Sequence, residues 1–357
     1  MRPSRAAAVI ACLGVMPVAC RSQAPTPVEV EPAVVAGQSF LEALVARNAY
    51  KLECRASDGS QCPIDRAGHV FAASFIVEAL GPSPEPAVAN DLGKAILLEQ
   101  RGQAWGYAAQ APIDVDDTAF ALRALRRLGL KDAAAPVFVF YSQAGGFATF
   151  LGGAGAKLTT EPSEANNLEL HPEVNANVYS LLTGTALASY VDLDRLLPAQ
   201  AADGSWGSYF YPGQAYGTWM VLRALCGSAK LSEPQSAARD RGVAYLVQSQ
   251  ASDGSWGALG MSGHAYDTAL SVVALEGCGA APQAVRRGRD WLRRAQADDG
   301  SWSYPGAIWV YRAKDAPRVD WTAYDSARSV TTSLAVWALA GVTASTDGRI
   351  GYSAMHP

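Results

Sequence analysis

The chain has 357 residues, 49% hydrophobic and 17% charged, with a formal net charge of -4. That composition excludes a disordered chain or a coiled coil and supplies ample apolar surface for a core. There is no basic excess to attract nucleic acid, and four histidines leave little material for a histidine-rich metal site, so neither a metal nor a cofactor is expected.

In chain order, Arg2 and Arg5 precede a small-residue apolar run, Ala6 to Ala19, which is too short to span a bilayer. Residues 1–19 read as a secretory signal. The run ends in Pro17-Val18-Ala19-Cys20, which resembles a bacterial lipoprotein signal and implies lipidation of Cys20. Residues 20–37, rich in proline to Pro32, read as a tether to a membrane anchor. An exported chain that loses Cys12 and acylates Cys20 keeps Cys54, Cys62, Cys226 and Cys278, an even number that predicts two disulfides. Cys54 and Cys62 bracket one loop; Cys226 and Cys278 end equivalent helices of neighbouring repeats.

The repeats are legible in three near-copies: Gln200-Ala-Ala-Asp-Gly-Ser-Trp206, Gln250-Ala-Ser-Asp-Gly-Ser-Trp256 and Gln296-Ala-Asp-Asp-Gly-Ser-Trp302. Looser versions end at Gln61, Trp105 and Phe147, giving six markers. Spacings of roughly 40–60 residues indicate stacked supersecondary units. Before each clear marker lies a helix with one polar side, as in 238–250 and 284–296; after it comes a helix apolar almost all round, as in 218–225 and 268–275. The second helices are predicted to begin near Gly68, Asp117, Val174, Gly217, Asp267 and Asp325. Val137 to Tyr141 gives the strongest strand signal, but it occupies an outer-helix position. The expectation is an all-α fold, a single (α/α)6 barrel of six helix pairs over 38–345, followed by a tail at 346–357.

The Gln-to-Trp segments resemble the QW motifs of the triterpene cyclases. A second segment, Trp105-Gly106-Tyr107 followed by Pro112-Ile113-Asp114-Val115-Asp116-Asp117-Thr118-Ala119, resembles the DxDDTA motif of squalene–hopene cyclase and other class II terpene cyclases. The resemblance implies proton-initiated cyclisation of a polyprenoid such as squalene, with Asp116 as general acid and Asp114 and Asp117 beside it. It also implies an apolar lipid partner and, because triterpene cyclases carry two barrels, a protein partner in place of the second. Aligning the repeats matches Asp117-Thr118 with Asp267-Thr268, Asp325-Ser326 and Gly217-Thr218, which reads Asp117 as a helix N-cap. Asp114 and Asp116 match His264 and Tyr266 and are therefore particular to one repeat. Asp114 is expected to tune Asp116 through a hydrogen bond.

A carbocation needs an aromatic wall. The candidates are Tyr107, Phe120, Tyr179, Trp219, Tyr266, Trp309, Trp321 and Tyr324. A prenyltransferase zinc triad is rejected, since His264 and Asp267 have Cys278 at the wrong end of their helix; Asp116-Asp117-Thr-Ala-Phe120 lacks the third acid of a DDxxD site. Two other readings stand beside the cyclase: a non-catalytic toroid that binds a lipid, peptide or protein, and a polysaccharide lyase or hydrolase using Asp116 and Glu173.

Overall fold

The computed structural model describes residues 31–351 apart from 59, 61, 63–67, 82–83, 109–110, 131–133, 143–144, 151–169, 258–262, 313–318, 342 and 345–349. The signal, Cys20 and residues 352–357 lie outside the described residues.

Six helices form an inner ring: α2 (His69–Leu80), α4 (Val115–Arg127), α5 (Pro172–Leu182), α6 (Ala215–Gly227), α8 (Ala265–Gly277) and α10 (Ser329–Ala340). Each packs on the next, and α10 returns to α2, closing the ring. The outer layer is α1 (Pro32–Ala46), α3 (Pro86–Leu98), a 3-10 turn at Ala135–Phe140, two 3-10 turns at Ala186–Tyr190 and Leu193–Ala199, α7 (Glu233–Ser249) and α9 (Pro282–Ala295). Composition sets the two layers. Every residue from Ser329 to Leu339 of α10 is buried, whereas α7 buries only Ala238, Gly242 and Leu246.

The Gln-to-Trp segments do two jobs. Trp206, Trp256 and Trp302 donate Nε1–H to carbonyls of Leu196, Leu246 and Leu292 on their own outer elements. Gln200 and Gln250 donate to Ala238 and Ala284 of the next outer helix. Gln296 does the same to Ala33, at 2.9 Å, so the last outer helix is tied to the first. Closure therefore uses residues 32–37, which the sequence reading assigned to a tether. Val34 and Gly37 are buried in α1, and the toroid begins at Pro32. Gly37, Gly242 and Gly288 leave room for the tryptophan of the preceding repeat: a Cβ on Gly242 would stand 2.6 Å from Trp206 Cζ3.

A second hydrogen bond fixes the register of the inner helices. The backbone N–H of Trp105, Trp206, Trp256 and Trp302 donates to Oγ1 of Thr118, Thr218, Thr268 and Thr332. In the third repeat Phe147 donates to Asn175 Oδ1 instead. This corrects the sequence alignment of the last repeat. Thr331, not Asp325, stands at the position of Asp117, because α10 begins at Ser329 after an inserted hairpin. The position of Asp116 is held by Glu173 in α5, Tyr216 in α6, Tyr266 in α8 and Val330 in α10.

That insertion is the main departure from an all-α expectation. Strands β4 (Ala307–Arg312) and β5 (Val319–Tyr324) pair antiparallel, and β1 (Glu53–Ala56) adds to β5. The sheet joins the first repeat to the sixth. Short pairs also form between β2 (Tyr141–Ser142) and β3 (Gly146–Phe147), and between β6 (Thr343–Ala344) and β7 (Ile350–Gly351), which places part of the expected tail in a strand. Residues 137–140 form a 3-10 turn in the outer position, and only Tyr141 of that segment is extended. Both expected disulfides form, Cys54–Cys62 and Cys226–Cys278. The second ties the C-terminal ends of α6 and α8.

Candidate active site

The three aspartates sit at the N-terminus of α4, strapped to the turn before it. Asp114 N–H donates to Trp105 O at 2.8 Å, and Thr118 Oγ1 donates to Asp114 O at 2.6 Å. Asp114 itself is the N-cap: its Oδ1 accepts the Asp117 N–H at 2.7 Å. The N-cap role read for Asp117 thus belongs to Asp114. Asp114 serves Asp117 rather than Asp116, and the expected hydrogen bond from Asp114 to Asp116 is not formed. Asp117 is buried with Oδ1 unpartnered.

Asp116 is 6% exposed. Its Oδ1 accepts from Asn177 Nδ2 at 2.7 Å and its Oδ2 accepts from the Tyr211 hydroxyl at 3.0 Å. Burial raises its pKa to about 6, against the pull of the Asn177 and Tyr211 hydrogen bonds and the Arg123 charge. Burial raises Asp114 to about 7, with the hydrogen bonds from Asp117 opposing the rise and the Asp116 charge adding to it, while burial and then the Asp114 and Asp116 charges push Asp117 well above the carboxylate range. Asp116 is therefore the most acidic of the three. Its conjugate base alone has two donors from outside the motif.

Glu173, at the matching position of α5, is fully buried. Its Oε1 accepts from Ser208 Oγ and from the Tyr209 N–H, both at 2.8 Å. Ser208 Oγ in turn accepts from the Tyr211 N–H at 3.1 Å. The 208–211 segment that carries Tyr211 to Asp116 is thus anchored on Glu173. Burial raises the Glu173 pKa.

Below the acids lies an aromatic belt. Tyr211 stacks on Tyr216 at 3.5 Å and Phe71 at 5.8 Å between ring centroids. Phe71 and Phe75 contact Phe120 at 5.2 and 5.3 Å, and Trp219 reaches Phe75 at 6.2 Å across the ring. Of the sequence candidates, Phe120 and Trp219 are in this belt. Tyr107 and Trp309 stack at 4.3 Å near the acid end, with the Asp117 charge adding to the burial that raises Tyr107. Tyr266 packs on Tyr304. Tyr179 is buried on α5 but makes no ring contact with the belt among the described residues. Tyr324 and Trp321 stand on β5. Tyr324 lies under the exposed Arg55 guanidinium, and Trp321 is half-buried on the same strand.

Sequence reasoning missed Tyr211, Phe71, Phe75 and Tyr216. Tyr216 had a signal, since it occupies the repeat position of Asp116. The two phenylalanines sit at i and i+4 of an inner helix. Tyr211 had none, because it lies in an irregular segment between marker and helix.

The same ring of helix pairs is found in solved structures. The type II terpene cyclase MstE from Scytonema, solved with its substrate geranylgeranyl dihydroxybenzoate, superposes with a TM-score of 0.66 at 18% identity, over 86% of this chain and 96% of that one. A protein from Actinoplanes gives 0.67 at 22% identity, covering 86% and 97%. The ent-copalyl diphosphate synthase from Streptomyces platensis gives 0.56 at 23% identity, with 76% of this chain on 50% of that one. No curated protein matches the chain. The fold is therefore the terpene cyclase toroid. Residues 186–344 match the family model of the squalene-hopene cyclase C-terminal domain. The near-complete coverage of MstE shows that a type II cyclase exists at the extent of this one toroid.

Proposed function

We propose that the protein is a class II terpene cyclase that protonates a polyprenoid alkene with Asp116. One observation carries this reading: Asp116 is a buried acid whose conjugate base is held by Asn177 and Tyr211, directly above a belt of aromatic rings. Asn177 Nδ2 is only a donor, so it stabilises the anion without engaging the proton of the neutral acid. Covering Asp116 with an apolar chain removes water and raises its pKa further, so the acid is loaded when substrate is bound. Transfer makes a tertiary cation, and the rings of Phe71, Phe75, Phe120 and Trp219 offer their faces to it. The Asp114–Asp117 pair keeps at least one proton and holds the negative charge beside the acid low. A polysaccharide-cleaving site is disfavoured, since Asp116 and Glu173 lie buried under the 208–211 segment.

The test is incubation of the purified protein with a polyprene panel, squalene included, and detection of cyclic products by mass spectrometry. Wild type should give products that Asp116→Asn, which keeps the shape but has no transferable proton, does not. Equal conversion by both proteins overturns the assignment. Lipidation at Cys20 would hold the toroid where polyprenes dissolve; palmitate should label the wild type and not Cys20→Ala.

A further inference from the structure

Both carboxylate oxygens of Asp116 are hydrogen-bonded, Oδ1 to Asn177 and Oδ2 to the Tyr211 hydroxyl. Tyr211 reaches three inner helices: α4 through Asp116, α6 through Tyr216 and α2 through Phe71. In the closed ring α2 and α6 stand opposite each other, with α4 and α5 between them on one side and α8 and α10 on the other. The Tyr211 side chain therefore crosses the lumen between the acid and the aromatic belt. An apolar chain that touches Asp116 and the belt together has to take the place of that ring.

Tyr211 sits on a segment bounded by glycines. Residues 207–213 belong to no helix or strand, and the glycines at the two ends, Gly207 and Gly213, are exposed, with open space where a Cβ would stand. Gly213 has a φ of 76°, which glycine adopts without strain. Between them Phe210 and Tyr211 are turned inward and buried. Phe210 O accepts from the Val310 N–H of β4 at 2.8 Å, and the Phe210 ring stands parallel to Trp309 at 6.3 Å. Tyr209 stacks on His171 at 4.6 Å. The polar hold on the segment converges on one atom. Glu173 Oε1 accepts from Ser208 Oγ and from the Tyr209 N–H, and Ser208 Oγ accepts in turn from the Tyr211 N–H. Bonds to an ionised acceptor are the strong ones. Glu173 itself is fixed in the first turn of α5, on the rigid inner ring. One firm anchor on the scaffold, with a glycine at either end of an irregular segment, is the build of a hinged flap.

We propose that Glu173 is a positioning residue for the acid: it latches a flap, Gly207–Gly213, whose Tyr211 keeps the lumen closed, and the flap swings out to let an apolar chain lie between Asp116 and the belt. The part given to the chain rests on the cyclase reading; the latch does not. Exchanging Tyr211 for substrate also readies the acid. Burial raises Asp116, and the Tyr211 hydrogen bond is among the groups that oppose the rise. Withdrawing the hydroxyl removes that opposition, so Asp116 holds its proton while the alkene arrives. The carboxylate left after transfer regains its donor when the flap returns.

Hydrogen exchange of the full-length protein, read by mass spectrometry, tests the latch without substrate. Glu173→Met keeps the approximate size and removes the acceptor. Exchange in peptides covering 207–213 should rise about tenfold while α4 keeps its protection. Glu173→Gln, which keeps an oxygen to accept both bonds, should stay close to wild type. Ser208→Ala breaks the same link from a half-buried position and should also raise exchange there; it decides the matter if Glu173→Met does not fold. Phytane and squalane are saturated chains of two lengths with no alkene to protonate. Delivered in detergent micelles, at least one should raise exchange in the same peptides of the wild type over micelles alone. Unchanged exchange in both Glu173→Met and Ser208→Ala overturns the latch, as does a rise shared equally by α4. Unchanged exchange with both hydrocarbons overturns the flap as the way in. If a hydrocarbon opens the flap and no polyprene is cyclised, the cyclase reading fails alone. If polyprenes are cyclised and Glu173→Met leaves both kcat and KM at wild-type values, the flap fails alone.

Discussion

Asn177 donates to Asp116 Oδ1 at 2.7 Å and accepts from Arg123 Nη1 at 2.6 Å, so a single amide couples the acid to a buried guanidinium. The guanidinium polarises the amide, which makes Nδ2 a better donor to the anion. Asn177→Leu keeps the approximate volume and removes both bonds. Loss of a hydrogen bond to a buried charge costs roughly 1.5–3 kcal/mol, equivalent to a rate loss of about tenfold to a hundredfold. Asp116 should then hold its proton to higher pH. In a pH–rate profile the alkaline limb, expected near pH 6 in wild type, should move upward while the plateau falls. A lower plateau with an unmoved limb contradicts the coupling.

The two other aspartates of the motif should separate on stability. Asp114→Ala removes the cap of α4 and should cost about 0.5–2 kcal/mol in urea unfolding. Asp117→Asn keeps a neutral group of the same shape at a site where burial already disfavours charge, and should change stability by less. The reverse order would restore Asp117 as the cap.

Asp267, at the position of Asp117 in the fifth repeat, is buried with Oδ2 unpartnered, and burial raises its pKa from 3.8 to about 7. A raised carboxyl binds protons more tightly in the folded state. Its contribution is therefore fully present below pH 3.8 and is lost as pH rises through about 7. Asp267→Asn stays neutral throughout. At pH 8 it should be more stable than wild type, by an amount of order 2–4 kcal/mol, and near pH 4 the two should converge. Melting curves at the two pH values provide the check; a variant less stable at pH 8 reverses the sign.

Ring closure rests on Gln296, which donates to both Ala33 O and Gly300 O at 2.9 Å. Gln296→Ala should destabilise by about 1–3 kcal/mol, and deleting residues 30–37 should cost far more, since Val34 and Gly37 go with them. A deletion that melts with wild type would restore the tether reading.

Gly242 faces Trp206 with no room for a Cβ. Gly242→Val should cost more than the roughly 1–3 kcal/mol usual for overpacking, because the clash is with a ring locked by its own hydrogen bond to Leu196. The exposed Ala237→Val on the same helix is the control, expected to stay within about 1 kcal/mol.

The sequence by itself determined the scaffold. Six repeat markers, three of them near-copies, together with apolar inner helices and half-polar outer ones, follow from local periodicity. It also placed Asp116, because a motif of adjacent residues survives linear reading. Tertiary structure alone decided the partners. Tyr211 lies 95 positions from Asp116 and Asn177 lies 61 away, and neither stands in a motif. Tertiary contact also decided that Pro32 to Gly37 is a helix, since its burial depends on Trp302 and Val336, from the far end of the chain. The hairpin that displaced the sixth repeat is held by β1 from the first, a pairing with no local trace. Patterns that repeat every few residues are written in the chain. Contacts made by closing a ring exist only once its ends have met.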